Sequence, residues 1–388
     1  YKRQGGNREP SREAVARWEK GQRSISGDKK MLRVPHISDI HLDGRYMVGG
    51  EADCSIGETV QCCRRNSYNY GKYHKPFVNG TLSPEQLKKP AGYWGELLCD
   101  TPWSLLANSM EALKAVGGKD GYDFALFTGD LTSHDDLYRY SHDLVEYTAQ
   151  AVFDLFKYTF GDTPLLSTLG NHDSSPENTF APHSLPGGRG NKYSWDTEYM
   201  AKLWQSKGWL NSDAAKQVRK HYGGYSMSPR RGLRVISINT DFWFFANFLN
   251  FIHTENPDYS GMLRFLTDEL FQAEKDGERV WIIGHVISGW DGKNPMFKPT
   301  ELFYHIVSRF APHTIAAIFF GHTHEDHFQV FYRATDPSST KVKRNTMNAV
   351  TTSFIAPSIT TYQDLNPRFR VMKVDPDTYD VYDFDQYY

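Results

Sequence analysis

Ile315-Ala-Ala-Ile-Phe-Phe-Gly-His-Thr-His324 sets six apolar residues directly against a glycine and two histidines. A short apolar run without polar alternation suits a strand buried on both faces of a sheet. Four more runs end the same way. Leu32–Ile37 leads into Asp39-Ile40-His41, and Phe124–Phe127 into Gly129-Asp130. Leu165–Leu169 leads into Gly170-Asn171-His172-Asp173, and Val280–Ile283 into Gly284-His285. Open α/β sheets place their ligands at the carboxyl ends of strands. Glycine lets the chain turn sharply there and brings side chains close together. A further run, Leu233–Ile238, carries no such ending. Helical patterns at Leu105–Val116, Leu137–Phe156 and Met262–Lys275 lie between the runs, so a layered α/β or α+β domain is expected.

The strand endings supply Asp39, His41, Asp130, Asn171, His285, His322 and His324. Mixed carboxylate, amide and imidazole donors suit zinc, manganese or iron. Seven donors exceed what one tetrahedral ion with an open position takes, but they serve two ions if one carboxylate bridges. Two such ions about 3.5–4 Å apart hydrolyse phosphate esters, a bridging hydroxide attacking phosphorus while the ions neutralise the phosphoryl oxygens. A lone histidine is ordinarily structural, and His183, His221 and His253 are read that way. Five signals in order, each after a strand-like run, are read as a metal site.

The rest of the chain bounds this reading. Its 388 residues are 39% hydrophobic and 23% charged, an ordinary globular balance that excludes long disorder. The 44 basic and 46 acidic residues leave a net charge of −2, which argues against stable, sequence-independent nucleic-acid binding. No apolar run approaches the roughly 18 residues of a membrane span; Phe242–Ile252 is broken by Asn247 and Asn250. The chain begins at Tyr1 rather than Met, as expected of a processed or trimmed chain. Residues 1–30 read as a polar arm with a short helix capped by Ser11 and ending at Gly21. Residues 31–388 read as one catalytic domain with an irregular insertion at about 43–101. The four cysteines, Cys54, Cys62, Cys63 and Cys99, all lie in the insertion and predict two disulfides, with three pairings open. Asn79-Gly80-Thr81 is a glycosylation sequon in the same segment. Together they place the chain outside the cytosol, secreted or in a lysosome or vacuole.

Asp-x-His, Gly-Asp, Gly-Asn-His-Asp, Gly-His and Gly-His-x-His in this order resemble the calcineurin-like metallophosphoesterases, over about residues 31–377. The resemblance implies a two-sheet α/β sandwich flanked by helices, with a dimetal site at the loop edge. It implies Asp39, His41 and His324 on one ion, Asn171, His285 and His322 on the other, and Asp130 between them. Ser38–Asp43, Asp53-Cys54, Cys62-Cys63-Arg64, residues 91–102 (AGYWGELLCDTP), 129–135 (GDLTSHD) and 356–367 (APSITTYQDLNP) are similar to the acid sphingomyelinase branch. That branch implies Cys54–Cys62 and Cys63–Cys99 pairing and cleavage of phosphodiesters such as sphingomyelin, while related members prefer nucleotides or other soluble phosphate compounds. Its namesake also carries a six-cysteine saposin module at the N-terminus; the arm here has no cysteine. His172 and His134 would stand near the leaving-group oxygen, where imidazole suits a general acid at mildly acid pH. Tyr362 matches a substrate contact.

The expectation is therefore a phosphodiesterase with two divalent ions, zinc preferred, that cleaves sphingomyelin or a related diester and touches a membrane surface transiently. The alternatives are a nucleotide phosphodiesterase or polyphosphatase of the same fold, and a non-catalytic metal-holding scaffold.

Overall fold

The computed structural model describes residues 9–22, 29–54, 61–65, 67, 87–289, 293–333, 342 and 344–388. Two sheets face each other. In the first, β1 (Leu32–Ile37), β2 (Ala125–Phe127) and β3 (Leu165–Ser167) run parallel, and β10 (Phe369–Val374) and β11 (Val381–Tyr387) extend it antiparallel in the order β11-β10-β1-β2-β3. In the second, β5 (Leu233–Ser237), β6 (Arg279–Ile283), β7 (Ile315–Phe320) and β9 (Ala349–Ile355) run parallel. Antiparallel β4 (Tyr225–Arg230) and β8 (His327–Tyr332) close its two edges.

The absence of polar alternation in these strands has a visible cause. In β6, Trp281 and Ile283 enter the core between the sheets, while Val280 and Ile282 enter a second core on the other face. Strand β7 divides likewise, Ala317 and Phe319 to one side and Ile318 and Phe320 to the other. Successive side chains point to opposite faces, so burial on both faces leaves no polar period. Trp281 packs on Phe124 at 5.3 Å and joins the sheets. Helices α2 (Trp103–Gly117), α3 (His142–Phe160) and α5 (Ser212–Lys220) pack into the core of the first sheet, and α6 (Met262–Asp276) and α7 (Phe297–Phe310) cover the second. The result is a mixed α/β sandwich of two multi-stranded sheets flanked by helices.

Helix α3 begins later than its hydrophobic period suggests. Leu137–Arg139 forms a 3-10 turn, and Ser141, in extended conformation, accepts from the Leu144 amide and starts the helix. Helix α1 (Arg12–Gln22) docks by Arg17 donating to the Glu274 carbonyl at 3.0 Å, with Ser11 Oγ capping the Ala14 amide. In the insertion Cys54 bonds to Cys62 and Cys63 to Cys99, around a small core with Ala52 and Ala91. The sequon residue Asn79 lies outside the described residues.

Asp196, near the start of α4 (Trp195–Ser206), is fully buried. One carboxylate oxygen accepts from the Thr197 amide; the other has no partner among the described residues. Burial, opposed by that hydrogen bond, pushes its carboxyl up to about 8. An unfolded Asp ionises near 4, so the folded chain binds the extra proton between about 4 and 8, and stability is lost as pH rises through that window. Asp196→Asn stays neutral throughout. Its melting temperature should therefore fall less than the wild type's between about pH 5 and pH 8. Equal slopes in thermal melts would contradict this.

Candidate active site

The loops after β1, β2, β3, β6 and β7 meet at one edge of the sandwich. Asp39, His41, Asp130, His322 and His324 all have positive φ, between 45° and 74°. Five non-glycine residues held in the left-handed region of one cluster mark strain of the kind that concentrates at functional sites. Two glycines are fixed by close approach. A Cβ on Gly170 would lie 2.1 Å from Asp130 Oδ1, and one on Gly321 would lie 2.1 Å from Ser38 Oγ.

The expected donors gather as two sets, Asp39, His41 and His324 in one and Asp130, His285 and His322 in the other; a third group of the same kind joins His41 to His134 and His172. Asn171 Oδ1 joins the second, 3.0 Å from His285 Nε2 and 2.9 Å from His322 Nδ1. Asp130 Oδ2 faces both, 3.3 Å from His41 Nε2 and 3.0 Å from His285 Nε2. All seven residues expected as ligands thus converge, with Asp130 between the sets. Among the described residues these clusters do not include His183, His221 or His253.

The outer ring nitrogens explain which atoms point inward. His41 Nδ1 donates to the Thr132 carbonyl at 2.9 Å, His285 Nδ1 to the Thr128 carbonyl at 2.6 Å, and His322 Nε2 to Asn294 Oδ1 at 2.9 Å. A neutral imidazole has one N–H, so each of these rings, where neutral, turns a bare nitrogen towards the centre. Burial pulls His41 down to about 4 and His322 down to about 3, which keeps them neutral. His41 Nε2 and His324 Nε2 lie 3.1 Å apart, close enough to serve one cation together. His285 is the exception. Burial opposes its charge, but Asp130 and Asp39 raise it to about 10. Burial and Asp130 together push Asp39 up to about 7. The chemistry of the donor set therefore fits divalent cations.

His134 and His172 stand beside these sets. His134 stacks on His41 with centroids 4.0 Å apart, and His172 meets His41 edge-on at 4.7 Å. Tyr362 lies 4.7 Å from the His134 ring, so the three further residues expected from the sequence reach the same cleft. Several partners carried no sequence signal of their own. Asp100, which follows Cys99, accepts from His134 Nδ1 at 3.0 Å and from Thr360 Oγ1 at 3.0 Å. Burial lowers His134, but Asp100 offsets this and the net shift is upward. Tyr140 donates its hydroxyl to the Ser133 carbonyl at 2.7 Å, so its oxygen accepts from His172 Nδ1 at 2.8 Å and fixes the ring. Burial, only partly opposed by Glu177, lowers His172. The Asp173 carboxylate accepts from the amides of Gly170, Asp130 and Leu131 and ties two of the loops together. The insertion forms one wall: Arg64, beside Cys63, pairs with Asp43 and with Asp135, next to His134.

The chain is 34% identical over 345 residues to a sphingomyelin phosphodiesterase of Homo sapiens, covering 88% of this chain and 48% of that protein. It is 32% identical over 363 residues to sphingomyelin phosphodiesterase 2 of Caenorhabditis elegans, covering 90% and 54%. It is 35% identical over 357 residues to sphingomyelin phosphodiesterase B of Dictyostelium discoideum, covering 91% and 50%. The chain spans about half the length of these curated relatives. Residues 32–326, from the first strand to just past His324, match the calcineurin-like phosphoesterase family, and it is to this family that the chain belongs.

Proposed function

We propose that the chain hydrolyses phosphodiesters, with sphingomyelin or a related choline diester as preferred substrate. The observation that carries this reading is the pair of donor sets with Asp130 Oδ2 facing a histidine of each. Similarity to three sphingomyelin phosphodiesterases supports the substrate class. Asp39, His41, His324 and Asp130 would hold one divalent cation, and Asp130, Asn171, His285 and His322 the other, with zinc preferred for its affinity for imidazole. When bound, such a pair supplies a nucleophile from water and neutralises charge on the phosphoryl oxygens.

The chain's own residues do the rest. His172, protonated on both ring nitrogens at mildly acid pH and with Nδ1 held by Tyr140, gives its Nε2 proton to the departing alkoxide. His134, held by Asp100, stacks beside it and stabilises the same oxygen. Tyr362 borders the leaving group. Exposed Phe245, Phe248 and Phe251 follow Phe244, whose ring packs on His322 at 4.8 Å; this apolar rim supports transient contact with a lipid surface. None of the described helices is long and apolar enough to cross a membrane. The two disulfides, and buried carboxyls such as Asp196 that favour acid pH, support a secreted, lysosomal or vacuolar setting.

A substrate panel tests the proposal. Sphingomyelin in vesicles should be cleaved to phosphocholine with higher kcat/KM than CDP-choline, ATP or polyphosphate. Faster turnover of ATP or polyphosphate would assign the site to soluble substrates instead.

A further inference from the structure

Asn171 can serve a cation only with its amide oxygen turned inward, yet the oxygen and nitrogen of an amide have nearly the same shape. The loop that follows decides the matter by hydrogen-bond polarity. Asn178 Nδ2 donates to Glu177 Oε1 at 3.1 Å. A carboxylate only accepts, so Asn178 turns its nitrogen to Glu177 and its oxygen away. That oxygen accepts from Asn171 Nδ2 at 2.9 Å. Asn171 Oδ1 is then left facing His285 Nε2 and His322 Nδ1. The backbone supports the pairing: Asn178, at φ 61°, donates its amide to the Asn171 carbonyl at 2.9 Å. Asparagine is among the few residues that adopt this conformation readily.

We propose that Asn178, oriented by Glu177, is a positioning residue that turns the amide oxygen of Asn171 towards the second divalent cation. The role rests on the reading of Asn171, His285 and His322 as ligands of one ion. With the amide reversed, Asn171 would present N–H groups to that ion and repel it. The first ion, held by Asp39, His41 and His324, has no such dependence.

The test is calorimetric titration of the metal-free full chain with zinc, which reads binding rather than turnover. Asn178→Leu removes the acceptor for Asn171 Nδ2, and Asn178→Asp keeps an oxygen there. The leucine variant should bind the second zinc about 10–100-fold more weakly, as expected for loss of an outer partner of a metal ligand. Its first zinc should bind as in the wild type, and the aspartate variant should recover most of the loss. If the leucine variant does not fold, Glu177→Leu and Glu177→Gln make the same comparison. The glutamine retains an oxygen acceptor for Asn178 and should keep second-site affinity; the leucine should lower it. Wild-type affinity in both leucine variants, or equal losses in the leucine and conservative variants, would overturn the proposal. A wild-type chain that binds fewer than two zinc ions would overturn the two-cation reading itself, and this role with it.

Discussion

Asp130→Ala is expected to lower kcat on every phosphodiester by more than about 10³-fold, beyond the 10²–10³ typical of one lost transition-state-stabilising group. One oxygen of Asp130 faces His41 and His285, one from each donor set, and the other accepts from the His172 amide at 2.8 Å. On the proposed reading the substitution would remove a donor from both ions and release the loop that carries Asn171 and His172. His41→Ala or His322→Ala would remove a donor from one ion only and should cost less. Steady-state rates on sphingomyelin and on bis-p-nitrophenyl phosphate check this ranking. An Asp130→Ala protein as active as His41→Ala would remove the bridging role.

His172→Gln should separate substrates by leaving group. A general acid is typically worth about 10²–10⁴-fold, but only where the departing oxygen needs a proton. The ceramide alkoxide needs one; p-nitrophenolate carries its own charge. The variant should therefore lose roughly 10²-fold or more on sphingomyelin and much less on bis-p-nitrophenyl phosphate, with both ions retained. His172 is not among the seven donors, although its amide contacts Asp130. Equal losses on the two substrates would make His172 a charge stabiliser instead. Loss of metal would make it a ligand. His134→Ala should follow the same trend more weakly, because its Nδ1 is committed to Asp100.

The donor set was legible because each member follows its strand within four residues, and burial on both faces made those strands plain. Strands β1 and β7 match their apolar runs end to end, and the others differ by one or two residues. What escaped depends on contacts distant in sequence. Strand β1 lies beside β10, more than 330 residues away, and β8 and β11 are partly exposed edge strands with weak apolar runs. Helix α3 starts at Ser141 because Tyr140 turns inward to hold Ser133 and His172, which no hydrophobic period reveals. Asp100 and His134, Tyr140 and His172, and Asn178 and Asn171 are pairs made by the fold. Residue type and spacing name the groups that converge; their supports appear only when the loops are brought together.

Anomalous scattering from crystals of the zinc-loaded chain tests the central claim most directly. Two peaks about 3.5–4 Å apart are expected on either side of the Asp130 carboxylate. One should be bounded by Asp39, His41 and His324, the other by Asn171, His285 and His322. A single peak, or two peaks that do not share Asp130, would contradict the account.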